Sequence, residues 1–326
     1  MEKILYQLES LLRRQISRRR FVAIVLGWLL VLLTDNVFLK RAFAKSEAST
    51  GRSPRGLRGE VDLAVAEGLD PYANTVAVVA AMGGMERFVA KGSTVVVKPN
   101  MAWDRSPEQA ANTDPRVVAA LVDLCFKAGA KRVNVFDVTC NDARRSYENS
   151  GIEKAAKAQG ANVYFADQWN VVKARFSHKS PMEDWPILRD AVVCDTFINV
   201  PVMKHHSLTE MTLSMKNLMG VCGGTRGLMH SGIGPKLVDL TQFISPELTV
   251  IDATRFLTRN GPTGGNPADV VTLNKVFAAT DPTLADAYAC SLADKDPMTI
   301  PYLAEAAARN FGNWDISKAN IKTISV

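Results

Sequence analysis

Apolar and polar positions along this chain change period from one short block to the next. Residues 61–66 alternate apolar and polar side chains, and residues 93–98 form a β-branched run between Gly92 and Pro99. Both patterns predict strands. Residues 73–89 between them have helical composition, split by Gly83-Gly84. Asp114 and Pro115 supply the start of a further helix, an N-cap carboxylate followed by proline at the first helical position. Apolar periodicity carries that helix through residues 117–126 until Gly129 stops it, and residues 132–138 predict the next strand. Downstream, helices are predicted over 152–159, 208–219, 236–243, 282–292 and 302–311. Strands are predicted over 162–165, 196–200, 248–251 and 321–326. Short apolar strands alternating with helices predict an α/β fold with a mixed, mainly parallel sheet flanked by helices.

Ligands of such sheets bind beyond the carboxyl ends of the strands. Several predicted strands deliver polar side chains there: Lys98-Pro99-Asn100, Asp137, Lys204-His205-His206 and Asp252. Taken singly each is an ordinary strand end or turn cap; their coincidence at one edge points to a site. In the predicted helix 208–219, Leu208, Met211, Met215 and Leu218 make an apolar face. His205, Thr209, Thr212 and Lys216 recur at spacings that place them on another side. That stripe is short-chained and has few acids, unlike an ordinary solvent face. The run Gly220 to Gly227 follows, in which Gly223 and Gly224 free the backbone to approach an anion and Arg226 offers a guanidinium. It is neither a Walker loop nor a dinucleotide fingerprint, and as a bland alternative it is a mobile loop. His230 lies just beyond it.

The N-terminal residues alter the reading of charge. Ser17-Arg18-Arg19-Arg20-Phe21-Val22 precedes an uncharged stretch over residues 21–33, and Ala42-Phe43-Ala44 offers small residues at a cleavage point. Together these have the form of a twin-arginine export signal over residues 1–44, cleaved after Ala44, with the periplasm or exterior as destination. The uncharged stretch, 13 residues long, is short for a membrane span. The membrane is therefore met only in transit, through the twin-arginine translocase. Residues 1–44 hold eight of the 39 basic and three of the 33 acidic residues, which leaves 31 against 30 in the remainder. The formal charge of +6 thus belongs to the targeting segment, and nucleic acid is not an expected partner. Residues 45–59 lack periodicity and read as a flexible leader to an α/β domain over 60–326, a length near which chains begin to form two lobes. The five cysteines are dispersed without a Cys-x-x-Cys pair, which argues against an iron–sulfur cluster of the usual local spacing. Cys125 and Cys290 read as core thiols, and Cys222, among glycines, as the one to test for reactivity.

The pieces Val-Lys98-Pro99-Asn100, Asn-Val-Pro-Val-Met-Lys204-His205, Leu208-Thr209, Lys216-Asn217-Leu-Met-Gly220 and Asp281-Pro282-Thr-Leu-Ala-Asp286 resemble the family called domain of unknown function 362, from about Val61 to the C-terminus. The resemblance implies an α/β fold and frequent twin-arginine export. Some branches carry fused ferredoxin-type cysteine motifs, which this chain lacks. It directs attention to His205, His206, Lys204 and Lys98 as catalytic candidates. Asn100, Lys216, Asn217, Gly223, Gly224 and Arg226 are the candidates to hold a cofactor or anion. Imidazole is the side chain that titrates near neutral pH, so His205 or His206 is the expected acid/base. His206 with Asp137 or Asp252 is the candidate set for a divalent metal such as Zn, Fe or Ni. The expected protein is an enzyme or cofactor-dependent redox protein acting on a small anionic substrate through a Lys/His/Asp cleft. The alternative is a non-catalytic periplasmic anion- or cofactor-binding or maturation protein. A structural or adhesive role fits least, since repeats and low complexity are absent. The cofactor's identity and the oligomeric state are left open.

Overall fold

β-Branched and apolar runs do become the buried centre of the protein. In the computed structural model, residues 47–326 are described apart from Pro54, Arg58 and Gln168. Its strands are β1 (Ala48–Ser49), β2 (Leu63–Glu67), β3 (Thr94–Pro99), β4 (Arg132–Val135), β5 (Asn162–Val163), β6 (Val171–Ala174) and β7 (Pro186–Leu188). They continue with β8 (Thr196–Val200), β9 (Val202–His206), β10 (Glu210–Thr212), β11 (Leu248–Leu257), β12 (Val270–Ala279) and β13 (Ile321–Ser325). Among the described residues one large sheet runs β13-β2-β12-β11-β8-β3-β4-β5, with β9 and β10 branching from β11. The block β11-β8-β3-β4-β5 is parallel, whereas β12 runs antiparallel to both of its neighbours. A small second sheet has the order β1-β6-β7.

The helices are α1 (Pro71–Ala81), α2 (Pro115–Lys127), α3 (Ala143–Asn149), α4 (Ile152–Ala158), α5 (Arg189–Val193), α6 (Ser214–Asn217), α7 (Ile233–Ile244), α8 (Pro282–Leu292) and α9 (Pro301–Ala308). Two apolar cores lie on the opposite faces of the sheet. Val95, Val97, Ile198 and Val200 pack with α1, α2 and α4, whereas Val96, Phe197 and Ile251 pack with α7, α8 and α9. Strands covered on both faces need the continuous apolar runs seen in β3 and β8. The same local device starts three helices: Asp70-Pro71, Asp114-Pro115 and Asp281-Pro282. In each, the Asp side chain accepts a first-turn N–H and proline occupies a position whose N–H has no intrahelical partner. Although the length allows two lobes, Glu47–Val326 is one compact unit. The segment read as an export signal, residues 1–44, lies outside the described residues. Among the described residues, no helix is long and apolar enough to cross a membrane.

Three expectations change. The predicted helix 208–219 is replaced by the antiparallel β9–β10 hairpin, the single turn α6 and a 3-10 turn Leu218–Val221. Glu210 has φ +60°, outside the helical region, and the Asp286 carboxylate accepts the N–H groups of Ser214 and Met215 at 2.7 and 3.1 Å. Those bonds start the helix at Ser214. Leu208, counted on the apolar face, is 67% exposed. The predicted strand 248–251 runs on to Leu257, so Asp252 is inside a strand rather than at its end. Within the stretch read as a flexible leader, β1 pairs with β6 and the Arg52 guanidinium meets Glu247 at 2.6 and 2.7 Å, both side chains being buried.

Candidate functional site

The carboxyl ends of β3 and β4, the β9–β10 hairpin and the turns after α6 surround a cavity of about 480 Å³. Its floor is built around Lys98, the penultimate residue of β3. The fully buried Lys98 Nζ stands 2.9 Å from Asp137 Oδ1, 3.0 Å from Asn217 Oδ1 and 2.9 Å from the Pro99 carbonyl. The Pro99 carbonyl and Asn217 Oδ1 accept two of the ammonium's three donors, and Asp137 supplies the counter-charge. Burial lowers the Lys98 pKa and the Asp137 carboxylate opposes that shift. Charge more than alignment holds this pair, because Asp137 Oδ1 makes no well-aligned hydrogen bond. Asp137 Oδ2 accepts Met101 N–H at 2.9 Å, and Asn217 donates to Asn199 Oδ1 at 2.9 Å. Gly220 is required above this floor: a Cβ there would overlap the Asp137 carboxylate and stand 2.5 Å from Lys98 Nζ.

Lys204 and Lys216 differ from Lys98 in having no carboxylate partner among the described residues. Lys204 Nζ donates to the Ala111 carbonyl at 2.5 Å and lies 5.7 Å from the centre of the Trp103 ring. Burial, reinforced by Lys216 and Lys98, pushes Lys204 down to about 7. Lys216 Nζ lies 3.2 Å from His230 Nε2 and 3.5 Å from Met219 Sδ, and burial pushes it down to about 8. His230 Nδ1 faces the Gly227 carbonyl at 3.2 Å, which assigns its proton to Nδ1 and leaves Nε2 to accept from Lys216.

His206 is also assigned by its partner. Its Nδ1 accepts Leu208 N–H at 3.0 Å, so the neutral ring carries its proton on Nε2. Burial, with the Lys216 charge, pushes its pKa down to about 3. The ring stacks on His230 with centroids 5.6 Å apart. Nδ1 of His206 is thus engaged by the backbone, and burial favours the neutral ring. His205 does not reach the cavity. Strand alternation turns it away from Lys204 and His206, and its Nδ1 accepts Gly261 N–H at 3.2 Å.

Lys98, Asn100, Asp137, Lys204, His206, Lys216, Asn217, Gly224 and Arg226 all line the cavity. Gly223 does not: its N–H donates to the Pro186 carbonyl at 2.8 Å and is unavailable to an anion. Arg226 spans the opening, donating to the Val138 and Thr139 carbonyls at 2.8 and 2.7 Å. Asp252 belongs to another network. Its carboxylate accepts Asp114 N–H at 2.6 Å and both donors of Thr254, and burial beside Asp114 raises it to about 6. Of the metal candidates, Asp252 thereby lies outside the cavity, while His206 and Asp137 both line it. Among the described residues no group of three or more His, Cys, Asp or Glu is placed to hold a metal ion.

Trp103, Cys140 and His230 also line the cavity but lie outside the predicted site set. Cys140, exposed at the rim, is 3.8 Å from Arg226 Nη2, whereas Cys222 is buried with its thiol pushed up to about 12 by desolvation. Two further wall residues, Asn100 and Thr212, are 7% and 4% exposed, and their Oδ1 and Oγ1 atoms have no hydrogen-bond partner. Buried polar atoms are ordinarily satisfied, which sets these two apart from the rest of the wall. A larger cavity of about 670 Å³ is lined in part by residues 50–53 and 55–57, but Arg52 and Arg175 on its wall are already paired with Glu247 and Glu183.

Residues 95–291 match the family described as Domain of unknown function (DUF362), and the chain belongs to that family. It is similar to a thylakoid-associated protein of Synechocystis sp., with 29% identity over 233 residues covering 68% of this chain and 70% of that protein. Among solved structures it is similar to the lactate racemase apoprotein from Thermoanaerobacterium thermosaccharolyticum, with TM-score 0.46 and 12% identity. That match covers 76% of this chain and 61% of the racemase chain, so it spans less than two thirds of the latter.

Proposed function

We propose that the protein is an enzyme that binds a small anionic substrate in the cavity of Lys204 and Lys216 and acts on it by proton transfer. One observation carries this reading: two buried amines without carboxylate partners share a cavity with the unpartnered Thr212 hydroxyl. A buried ammonium without a counter-charge is costly, and an entering anion supplies that charge. Lys216, steadied by His230, holds anionic oxygen. Lys204 titrates near neutrality, where an acid/base can both give and take a proton. His206 Nε2–H adds a neutral donor for oxygen that gains charge during reaction. Export through the twin-arginine route remains part of the proposal. It predicts a mature N-terminus at Lys45, and retention of the precursor when Arg18 and Arg19 are replaced by lysine.

The test is turnover of a panel of small carboxylates and phosphate esters by the full-length protein, followed by proton NMR. Lys204→Gln is expected to retain the fold and lose about 100-fold or more in rate on any compound turned over. Equal rates for parent and variant contradict the assignment of Lys204. Ligand-induced melting shifts throughout the panel without turnover contradict catalysis and leave a binding protein.

A further inference from the structure

We infer that the ligand of this cavity carries a doubly negative head group, of the phosphate or dicarboxylate class, rather than a single carboxylate. The inference rests on the anion-site reading above and adds a count of charge. Lys98 is already neutralised by Asp137 at 2.9 Å and donates to the Pro99 carbonyl and Asn217 Oδ1, so it demands no charge from a ligand. Lys204 and Lys216 are buried and meet only neutral partners, the Ala111 carbonyl, His230 Nε2 and Met219 Sδ. Arg226 adds a third positive group at the opening, also on neutral carbonyls. When both amines are protonated, a monoanion leaves one of them uncompensated, and a dianion is the smallest ligand that balances both. The free oxygen of Thr212 and the Nε2–H of His206 supply further donors to several acceptor atoms on one head group. Trp103, Pro262 and Met219 form less polar wall against which the rest of the molecule packs, and the volume suits a small metabolite-sized ligand.

Cys140 provides a local reporter, because it is the exposed thiol at the rim and the other four cysteines are buried. The full-length protein is treated with iodoacetamide at constant ionic strength in the presence of inorganic phosphate, malonate or acetate. Alkylation is read by intact mass, and melting temperature is measured alongside. Phosphate or malonate is expected to slow alkylation and raise the melting temperature at concentrations at least about tenfold below those needed with acetate. In a Lys204→Met/Lys216→Met variant the difference between dianion and monoanion is expected to vanish. Equal potency of acetate and the dianions overturns the charge inference while the anion site stands. Absence of any effect on either readout with all three anions overturns the anion site itself. Undiminished dianion protection in a folded double variant places the charge recognition elsewhere and also overturns the inference. Should that variant fail to fold, the comparison of anions on the parent still decides.

Discussion

Lys98 and Lys204 are both fully buried lysines at the same edge of the sheet, yet they have opposite fates. Lys98 is tied to Asp137 and Asn217, while Lys204 has a single carbonyl and an aromatic ring. The first organises the floor, and Gly220→Ala tests it by driving a methyl group into the ion pair. That substitution is expected to cost about 3 kcal/mol, read from the urea midpoint; a change within 0.5 kcal/mol contradicts the packing described. The second lysine leaves a signature in pH. Lys204 titrates at about 7 when folded against 10.5 as its ordinary value, so between these pH values the unfolded chain binds a proton that the folded chain lacks. Its contribution to the stability of the unliganded protein therefore rises as pH increases from about 7, and below that pH the full cost of the buried ammonium is present. Lys204→Met is expected to gain most over the parent near pH 6 and progressively less towards pH 9, a trend that a constant difference would contradict. Much of this scale was legible in the sequence. Lys98, Asn100 and Asp137 follow from strand ends, where parallel sheets place their sites; Lys204, read as lying beyond a strand, sits inside β9. Partner choice was not legible: nothing local distinguishes His205 from His206 until strand alternation sends one inward and the other to Gly261.

At the scale of elements, the Asp-Pro helix starts and β-branched strands are determined nearby in sequence and were readable there. The segment 208–219 was not, because apolar residues three and four apart suit both a helix and a hairpin followed by a turn. The choice is made by Asp286, 72 residues from Ser214, whose carboxylate caps α6 from α8. α6 in turn aims Lys216 and Asn217 into the cavity. Asp286→Ala is expected to destabilise by about 2–4 kcal/mol through two buried N–H groups left without an acceptor. It should also weaken anion binding, as titration of phosphate against the melting temperature will show. Full retention of both properties contradicts the role given to this cap. Strand β12 escaped the pattern for a related reason: its outer half is partly solvated and lacks a clean apolar period.

Across the whole molecule, a mainly parallel sheet with a core on each face gathers residues more than 100 positions apart into one cavity. Segment 47–57 adds a long-range clasp, since Arg52 reaches the buried Glu247 and the Cys194 carbonyl. Arg52→Met strands a buried carboxylate that also accepts Phe197 N–H at 2.7 Å. A loss of about 3 kcal/mol is expected in urea unfolding, against near-parental stability if the clasp is incidental. Such a contact could not be read from composition, which shows only a polar stretch without periodicity. The central claim, that Lys204 and Lys216 make this cavity an anion site, is tested most directly by calorimetric titration of phosphate into the full-length protein. The parent should bind one phosphate, and a folded Lys204→Met/Lys216→Met variant should bind none measurably. Equal affinity in the two proteins would contradict it.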